Sequence, residues 1–196
     1  MKPFVLGIAG FIGSGKTTAG DYFQNLGAEF VDSDDIVNEL YQPNNDGWLK
    51  IMNYFGRDFL LAGNQINRRK LAKFVFQHPG KLQILNHMIH PLVAHEVMKI
   101  IDHCEKDVLV VEATYFDKQG LLKYVDEVLW IDCEREILWK RALKRDEIDR
   151  KLFDQIMRCQ KKPEKIDHVV TNNNGRDELT SQLKDLWYEI QEKNHH

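Results

Sequence analysis

The chain has 196 residues, of which 43% are hydrophobic, and a formal net charge of −3. This size and composition are typical of one compact domain with a full core, and the balanced charge argues against non-specific nucleic-acid binding, which requires a basic excess. The three cysteines, Cys104, Cys133 and Cys159, are widely spaced, which argues against a disulfide framework or a structural zinc site and favours a reducing compartment.

The first residues, MKPFVLGIAGFIG, place a lysine before an apolar run and could be mistaken for a signal peptide. Glycines interrupt the run, which continues directly into a glycine-rich loop, so we interpret it as a buried strand. No segment approaches the ~20 apolar residues that a membrane-spanning helix needs. We therefore predict a cytoplasmic protein that binds neither membrane nor nucleic acid.

Five short apolar runs, rich in Val, Ile and Leu, predict buried strands at residues 4–9, 29–32, 108–113, 127–132 and 168–172. Segments of helical character alternate with them, at residues 16–26, 35–41, 68–104, 134–158 and 177–193. This alternation predicts an α/β fold of three α/β/α layers, in which helices cover both faces of a five-stranded parallel sheet.

The interval between the second and third predicted strands is much longer than one crossover helix requires. Turn-forming residues at 43–47 and 62–64 divide it into several helices. We predict that this interval is an inserted helical sub-domain that covers a substrate.

Residues 10–17, GFIGSGKT, match the phosphate-loop pattern G-x-x-x-x-G-K-[ST] in full, between a predicted strand and a predicted helix. Glycines in such a loop let backbone N–H groups approach a phosphate. We expect Lys16 to neutralise the β- and γ-phosphates of ATP, and the Thr17 hydroxyl to coordinate Mg²⁺. The alternative is a glycine-rich turn that serves packing alone. The residues expected to bind the nucleotide are Gly10, Gly13, Ser14, Gly15, Lys16, Thr17 and Thr18.

This motif makes the predicted fold that of a P-loop NTPase and leaves three kinds of protein open: a GTPase-type switch, an ATPase motor and a small-molecule kinase. A guanine-specific switch has an N-K-x-D-like segment, and residues 171–175 lack its lysine and its aspartate. A motor usually carries an aspartate on an apolar strand, where this chain has Glu112. Two further groups of residues favour the kinase.

The first group is the sequence VDSDD at residues 31–35, where the second predicted strand ends. The carboxyl ends of parallel strands face the ligand crevice, and a carboxylate there can accept the proton of an attacking hydroxyl or hold Mg²⁺. Alternatively, Ser33, Asp34 or Asp35 caps the following helix. We expect one of the three to cap it and Asp34 to act as the base, since Asp32 belongs to the strand and Asp35 to the helix start.

The second group is Arg141 and Arg145, which are four residues apart and share one face of a predicted helix. Two guanidinium groups at this spacing suit bidentate contact with phosphates, and one such arginine is worth about 10³- to 10⁵-fold in rate in other P-loop enzymes. We expect Arg141 to act in catalysis, with Lys16, and Arg145 to contact the nucleotide. The alternative is a solvated helix with acidic partners at Glu134, Glu136, Asp146 and Asp149.

With these residues assembled, the chain resembles the dephospho-coenzyme A kinase family from Phe4 to about Trp187. The motifs that carry the resemblance are GFIGSGKT (10–17), VDSDDIVNEL (31–40), NRRKLAKFVF (67–76), NHMIHPLV (86–93), KRALKRD (140–146) and VVTNNNG (169–175). The resemblance implies transfer of the ATP γ-phosphoryl group to the 3′-hydroxyl of dephospho-CoA, with Mg²⁺. It also implies a core of about residues 1–35, 106–140 and 165–196, an acceptor-binding insertion of about 36–105 and a lid of about 141–164.

Position by position, Asp34 matches the family's catalytic aspartate, Arg141 and Arg145 match lid arginines, and His90 matches a histidine near the acceptor. Arg68 either contacts the acceptor or is a surface residue, and we favour the contact. The chain departs from the family pattern at residues 112–117, which bear on the acceptor, and in the short stretch 160–169, which bears on adenine or the lid.

The closely spaced histidines His87, His90 and His95 lack a carboxylate or cysteine in ligand register, so a polar contact from His90 is favoured over a metal site. The two final histidines are interpreted as a tag remnant. We expect a monomer or a weak homo-oligomer. The alternatives to this function are another P-loop kinase of small metabolites, nucleosides or nucleotides, and a non-catalytic ATP-binding regulator.

Overall fold

The computed structural model describes residues 2–114, 116 and 120–194. Within them, five strands form one sheet: β1 (Phe4–Gly10), β2 (Glu29–Asp32), β3 (Val108–Glu112), β4 (Glu127–Asp132) and β5 (His168–Thr171). The sheet order is β2-β3-β1-β4-β5, and every neighbouring pair is parallel. All five predicted strands and the predicted parallel sheet are therefore confirmed.

Helices occupy the residues between the strands, as predicted for an α/β fold. They are α1 (Lys16–Asn25), α2 (Ser33–Leu40), α3 (Asp46–Phe55), α4 (Arg68–Gln77), α5 (Pro79–His103), α6 (Arg135–Asp146), α7 (Arg150–Cys159) and α8 (Arg176–Asn194). Short 3₁₀ turns lie at Arg57–Phe59, Ala62–Asn64 and Leu122–Tyr124.

Two of the predicted helical segments are each two helices. Residues 68–104 divide at His78, and Pro79 starts α5 because proline lacks the N–H that a helix interior uses but fits the first turn. Residues 134–158 divide at Glu147, whose left-handed backbone (φ 52°) ends α6.

The strands are apolar without alternation because both faces of the sheet are buried. Leu6 and Ile8 of β1 pack with Phe23 of α1 and Leu183 of α8 on one face. Val5 of β1 lies on the other face, in the same apolar cluster as the helices between β2 and β3. The three predicted layers are confirmed.

The interval between β2 and β3 contains the four helices α2 to α5, and α5 packs against the other three. Its aromatic centre includes Phe55, Phe59 and Phe74, whose rings meet edge-on or tilted. This apolar cluster is continuous with one face of the sheet, so the insertion is fixed against the core. The expected lid start at Arg141 lies inside α6, and the domain boundaries stay predictions.

The N-terminal apolar run forms β1, the central strand of the sheet. Among the described residues, no helix has both the length and the apolar character that crossing a membrane requires. His195 and His196 lie outside the described residues, so their interpretation as a tag stays a prediction.

Candidate functional site

The glycine-rich loop connects β1, which ends at Gly10, to α1, which begins at Lys16. Gly13 (φ 80°) and Gly15 (φ 100°) have left-handed backbones, which glycine adopts without the steric cost that a Cβ brings. Gly15 caps α1 without a side-chain hydrogen bond. The first N–H groups of α1 lack acceptors within the helix, so this end of α1 suits an anion.

The glycines of the loop have no room for a Cβ. A Cβ on Gly13 would lie 2.8 Å from the carbonyl oxygen of Leu138 in α6, and one on Gly15 would lie 2.4 Å from Asn172 Nδ2. One on Gly10 would lie 2.3 Å from Ser14 Oγ. The glycines are therefore required by packing as well as by backbone conformation.

A pocket of about 390 Å³ opens beside the loop and is lined by cationic side chains. The structure brings both predicted arginines to this pocket, although Arg141 and Arg145 are far from the loop in the sequence. Such a concentration of positive charge at a helix N-terminus suits a polyphosphate. The pocket residues are Gly13, Gly15, Lys16, Thr17, Thr18, Arg141, Lys144 and Arg145.

Arg141 is held beside the loop by hydrogen bonds from both of its terminal nitrogens. Its Nη1 donates to the Gly13 carbonyl oxygen at 3.4 Å, and its Nη2 donates to Asn172 Oδ1 at 3.3 Å. The amide of Asn172 is buried and donates from Nδ2 to the Ser14 carbonyl oxygen at 2.7 Å. Asn172 therefore positions the loop and the arginine together.

Sequence reasoning missed three residues of this site. Lys144 lines the pocket, Asn172 links the loop to β5, and Gln160 Oε1 accepts a hydrogen bond from the loop nitrogen of Ile12 at 2.9 Å. Asn172 follows a parallel strand at the edge that carries the loop, and this placement was a usable signal. Gln160 has no local sequence signal.

Lys16 forms a buried ion pair with Glu112, the last residue of β3: Nζ lies 3.6 Å from Oε1. Burial raises the pKa of Glu112 to about 7, and the negative charges of Asp32 and Asp34 add to the rise. Lys16 and the approaching Thr17 hydroxyl oppose it. The other carboxylate oxygen, Oε2, is buried and has no hydrogen-bond partner. Glu112 therefore faces the phosphate loop with an unsatisfied acceptor.

The expected helix cap after β2 was wrong in one respect. Asp32 caps α2, because its Oδ1 accepts a hydrogen bond from the Asp34 nitrogen at 2.8 Å; none of Ser33, Asp34 and Asp35 is the N-cap residue. The Asp32 carboxylate ends the strand and turns to the first free N–H groups of the helix, as an N-cap does. Asp34 lies in the first turn of α2, is exposed and does not cap the helix.

The charges of Asp34 and Arg68 both influence the pKa of Tyr41. The Arg68 guanidinium lies 5.9 Å from the centre of the Tyr41 ring. Burial raises the pKa of Tyr41 to about 12, the positive charge of Arg68 opposes this rise, and the negative charge of Asp34 adds to it. The candidate base and one expected acceptor contact therefore lie near the same tyrosine.

His90 has a different setting, since it is buried on α5 between Ile89 and Val93 of the insertion core.

A second cleft, of about 510 Å³, lies between α4 and the segment around α7. Ile12 of the phosphate loop lines it, together with apolar side chains and with charged ones of both signs: Arg69, Lys73, Lys151, Glu147 and Asp149. This cleft leads from the loop to the insertion.

No group of three or more His, Cys, Asp or Glu side chains in the described part of the chain is arranged to hold a metal ion. Mg²⁺ in nucleotide sites typically takes one or two protein oxygens beside phosphates and water, and the Thr17 hydroxyl and the unsatisfied Glu112 oxygen fit this donor set.

In the stretch that departs from the family pattern, Ala113 and Phe116 are buried. Tyr115 and Asp117 lie outside the described residues.

Comparison with known proteins gives one consistent result. The dephospho-CoA kinase family model matches residues 4–178. A dephospho-CoA kinase of Lactobacillus acidophilus is 32% identical over 197 residues, covering 97% of this chain and 98% of its own.

Two solved structures are similar in fold over nearly their whole length. A protein from Thermus thermophilus has a TM-score of 0.77 at 23% identity, covering 96% of this chain and 98% of its own. A dephospho-CoA kinase from Campylobacter jejuni has a TM-score of 0.66 at 22% identity, covering 97% and 98%.

Proposed function

The chain belongs to the dephospho-CoA kinase family, and we propose how its residues perform that family's reaction. The enzyme is an ATP-dependent transferase that moves the γ-phosphoryl group of ATP to the 3′-hydroxyl of dephospho-CoA. The products are CoA and ADP, and the reaction is the last step of coenzyme A biosynthesis. The observation that carries the proposal is the pocket where the phosphate loop meets Arg141 and Arg145, with Asp34 at the same edge of the sheet.

The first step is to hold the triphosphate. The first turn of α1 offers its N–H groups, and Lys16, Arg141 and Arg145 supply positive charge around one pocket. Such groups stabilise the charge that spreads over the transferring phosphoryl oxygens, and most of the rate enhancement in phosphoryl transfer comes from positioning and electrostatics. The guanidinium of Arg141 is fixed beside the loop, because it donates one hydrogen bond to the Gly13 carbonyl oxygen of the loop and one to Asn172 Oδ1.

Mg²⁺ is the second cofactor of the proposal, with the Thr17 hydroxyl as its ligand. When bound with ATP, it neutralises charge on the phosphates. The side chain of Thr17 lies on the exposed face of α1 that borders the pocket, where it can contact a metal and phosphates together.

Asp34 is the proposed base. It is exposed, it is not the cap of α2, and its charge acts on Glu112 at the phosphate loop and on Tyr41 in the insertion. This position between the two regions suits a carboxylate that orients the acceptor hydroxyl and takes its proton late in the transfer.

The insertion is the proposed acceptor-binding region. Arg68 is exposed near Tyr41 and can contact an acceptor phosphate. The cleft beside α4 has Arg69 and Lys73 on its α4 wall among apolar side chains, and this wall suits an acceptor that carries both phosphates and an extended arm. His90 is proposed to support this region from the interior of α5, since its side chain is buried.

The proposed function is tested with purified protein, Mg-ATP and a panel of acceptors: dephospho-CoA, nucleosides and shikimate. We expect ADP formation with dephospho-CoA. ADP formation with a nucleoside alone would overturn the assignment of the acceptor, and the absence of ADP with every acceptor would favour a non-catalytic regulator. The cytoplasmic location, supported by three free cysteines, and the monomeric or weakly associated state stay predictions.

A further inference from the structure

Two neighbouring residues of the phosphate loop line two different pockets. Ile12 lines the cleft of about 510 Å³ that α4 and α7 border, and Gly13 lines the pocket of about 390 Å³ at the start of α1. The proposed acceptor region and the nucleotide pocket therefore meet at this pair of residues. Because the attacking and leaving oxygens of phosphoryl transfer lie roughly in line, the placement of the pair decides how the two substrates face each other.

Side chains from outside the loop hold the pair at both ends. The Gly13 carbonyl oxygen accepts the hydrogen bond from Arg141 Nη1 at 3.4 Å. The backbone nitrogen of Ile12 donates to Gln160 Oε1 at 2.9 Å. Arg141 lies within α6, whereas Gln160 directly follows α7. The position of the loop at this junction therefore depends on two separate helical segments.

Gln160 also joins two walls of the cleft. Its backbone nitrogen donates to the carbonyl oxygen of Ile156 in α7 at 3.0 Å, while its side chain accepts from Ile12. Both Ile12 and Ile156 line the cleft, and so does α4, against which α7 packs. A ligand in the cleft therefore meets the two residues that Gln160 connects.

The residues after Gln160 fasten this segment to the sheet. Lys162 Nζ lies 3.5 Å from Asp132 Oδ1 and 5.0 Å from the centre of the Trp130 ring, both residues of β4. The Trp130 ring in turn meets the ring of Phe11, a loop residue, edge-on at 5.0 Å. The chain that leaves α7 is therefore held beside the loop at two points, which a side chain with a positioning task requires.

We propose that Gln160 is a positioning residue for phosphoryl transfer, which ties α7 to the phosphate loop and so aligns the acceptor cleft with the nucleotide pocket. It acts through Ile12 and Gly13 and needs no contact with either substrate. The inference deepens the proposed function and rests on it in placing the acceptor in this cleft. A side chain that only stabilised the loop would affect stability and ATP affinity, whereas one that aligns the substrates affects the rate of transfer.

The test uses matched variants in single-turnover rapid-quench assays. Gln160→Met keeps the length of the side chain but removes the accepting oxygen, and Gln160→Glu keeps an oxygen that can accept the Ile12 N–H. The control is Gln24→Met, at an exposed glutamine near the end of α1. The assay gives the rate of transfer at saturating substrates and the ATP concentration at half-maximal rate, and thermal unfolding gives the stability.

Gln160→Met is expected to slow transfer about 10- to 100-fold, because displacing the reacting groups by ~1 Å can cost about 10²-fold in rate. Its half-saturating ATP concentration is expected to stay close to that of the wild type, since the cations of the nucleotide pocket remain in place. Gln160→Glu is expected to restore most of the rate, with the effect of its negative charge confined to ATP affinity. Gln24→Met is expected to match the wild type in both values.

Transfer at the wild-type rate by Gln160→Met overturns the proposal. An equal loss of rate in Gln160→Met and Gln160→Glu also overturns it, since the accepting oxygen would then be irrelevant, and so does a loss of ATP affinity or stability at an unchanged rate. If Gln160→Met does not fold, Gln160→Asn, which withdraws the amide from Ile12, decides: slower transfer at an unchanged ATP requirement supports the proposal, and the wild-type rate opposes it.

The acceptor in these assays is the member of the panel that the wild type phosphorylates. Transfer to a nucleoside in place of dephospho-CoA would overturn the proposed function and leave this test in force. A wild type that phosphorylates no acceptor would overturn both.

Discussion

Asn172 Nδ2 donates a hydrogen bond of 2.7 Å to the carbonyl oxygen of Ser14, a residue 158 positions away in the chain. The same amide accepts a hydrogen bond from Arg141. The residue that follows β5 therefore fixes two parts of the nucleotide site, the phosphate loop and the arginine above it. Since Asn172 is buried, neither bond is easily replaced by water.

Replacing Asn172 by Ala is expected to lower kcat/KM for ATP by about 10- to 100-fold and stability by about 1–3 kcal/mol, the range for a buried polar group left unsatisfied. Steady-state kinetics and urea unfolding measure the two effects. Asn173→Ala is the control, because Asn173 Oδ1 accepts a hydrogen bond from the Glu134 nitrogen and not from the loop. Equal kinetics in the two variants would contradict a positioning role for Asn172.

Arg141→Ala is expected to lower kcat by about 10³- to 10⁵-fold, the range for an arginine that stabilises the transferring phosphoryl group. Arg141→Lys is expected to restore little of this activity, because an ammonium group cannot make the two-nitrogen contact of a guanidinium. Rapid-quench single-turnover assays measure the transfer step directly. Lys140→Ala, an exposed neighbour on α6, should behave as the wild type. A small effect of Arg141→Ala would remove this arginine from the transfer step.

The strands were predictable from sequence because burial on both faces leaves an apolar run with polar residues or turns at each end. The helix boundaries were harder to predict from sequence. Pro79 carries a recognisable start signal for α5, whereas the left-handed Glu147 that ends α6 is a residue type with no preference for that backbone.

The residues of the candidate site also differ in how far the sequence alone predicts them. Lys16 and Thr17 were found because the loop motif is local in sequence, and Arg141 was found through its helical spacing to Arg145. Contacts such as those of Gln160 and Asn172 with the loop depend on which elements the fold brings together. The order of the strands decides this, and no local pattern encodes it.

The conformation of Gly13 leads to a third prediction. Gly13→Ala combines a positive φ of 80° with a Cβ 2.8 Å from the Leu138 carbonyl oxygen, whereas Gly63→Ala has a φ of 82° and open space around the Cβ. We expect Gly63→Ala to cost about 1–2 kcal/mol of stability from backbone strain and to leave nucleotide binding intact. Gly13→Ala is expected to cost more and to weaken ATP binding. Calorimetric titration measures ATP binding, and thermal unfolding measures stability. Equal ATP affinity and equal stability in the two variants would contradict this prediction.

A fourth prediction concerns the stability of the nucleotide-free protein in EDTA. The pKa of Glu112 is raised from 4.5 to about 7 in the folded state. The folded protein therefore holds this proton at pH values where the unfolded chain releases it. The stability contributed by the raised pKa is fully present below pH 4.5 and is lost as the pH rises through 7.

Glutamine does not titrate, so the unfolding free energy of Glu112→Gln relative to the wild type is expected to rise by roughly 2 to 3 kcal/mol between pH 5 and pH 8. Urea unfolding at the two pH values measures this change, and Glu189→Gln, on the exposed face of α8, should show none. A pH-independent difference would mean that the carboxyl of Glu112 titrates in the folded protein as it does in the unfolded chain.

Asp34→Asn tests the proposed base. The amide keeps the size of the side chain but cannot accept a proton, so turnover is expected to fall by about 10²- to 10⁴-fold, the usual contribution of a general base. ATP binding should be preserved, because Asp34 is not the cap of α2 and the variant leaves the bond between its backbone nitrogen and Asp32 in place. Asp35→Asn is a matched control, since Asp35 is the next residue of the same exposed turn and contacts only Asn38 among the hydrogen bonds described for it. If the two variants turn over at the same rate while binding ATP equally, the base is not Asp34, and positioning by Lys16 and the arginines must account for the transfer.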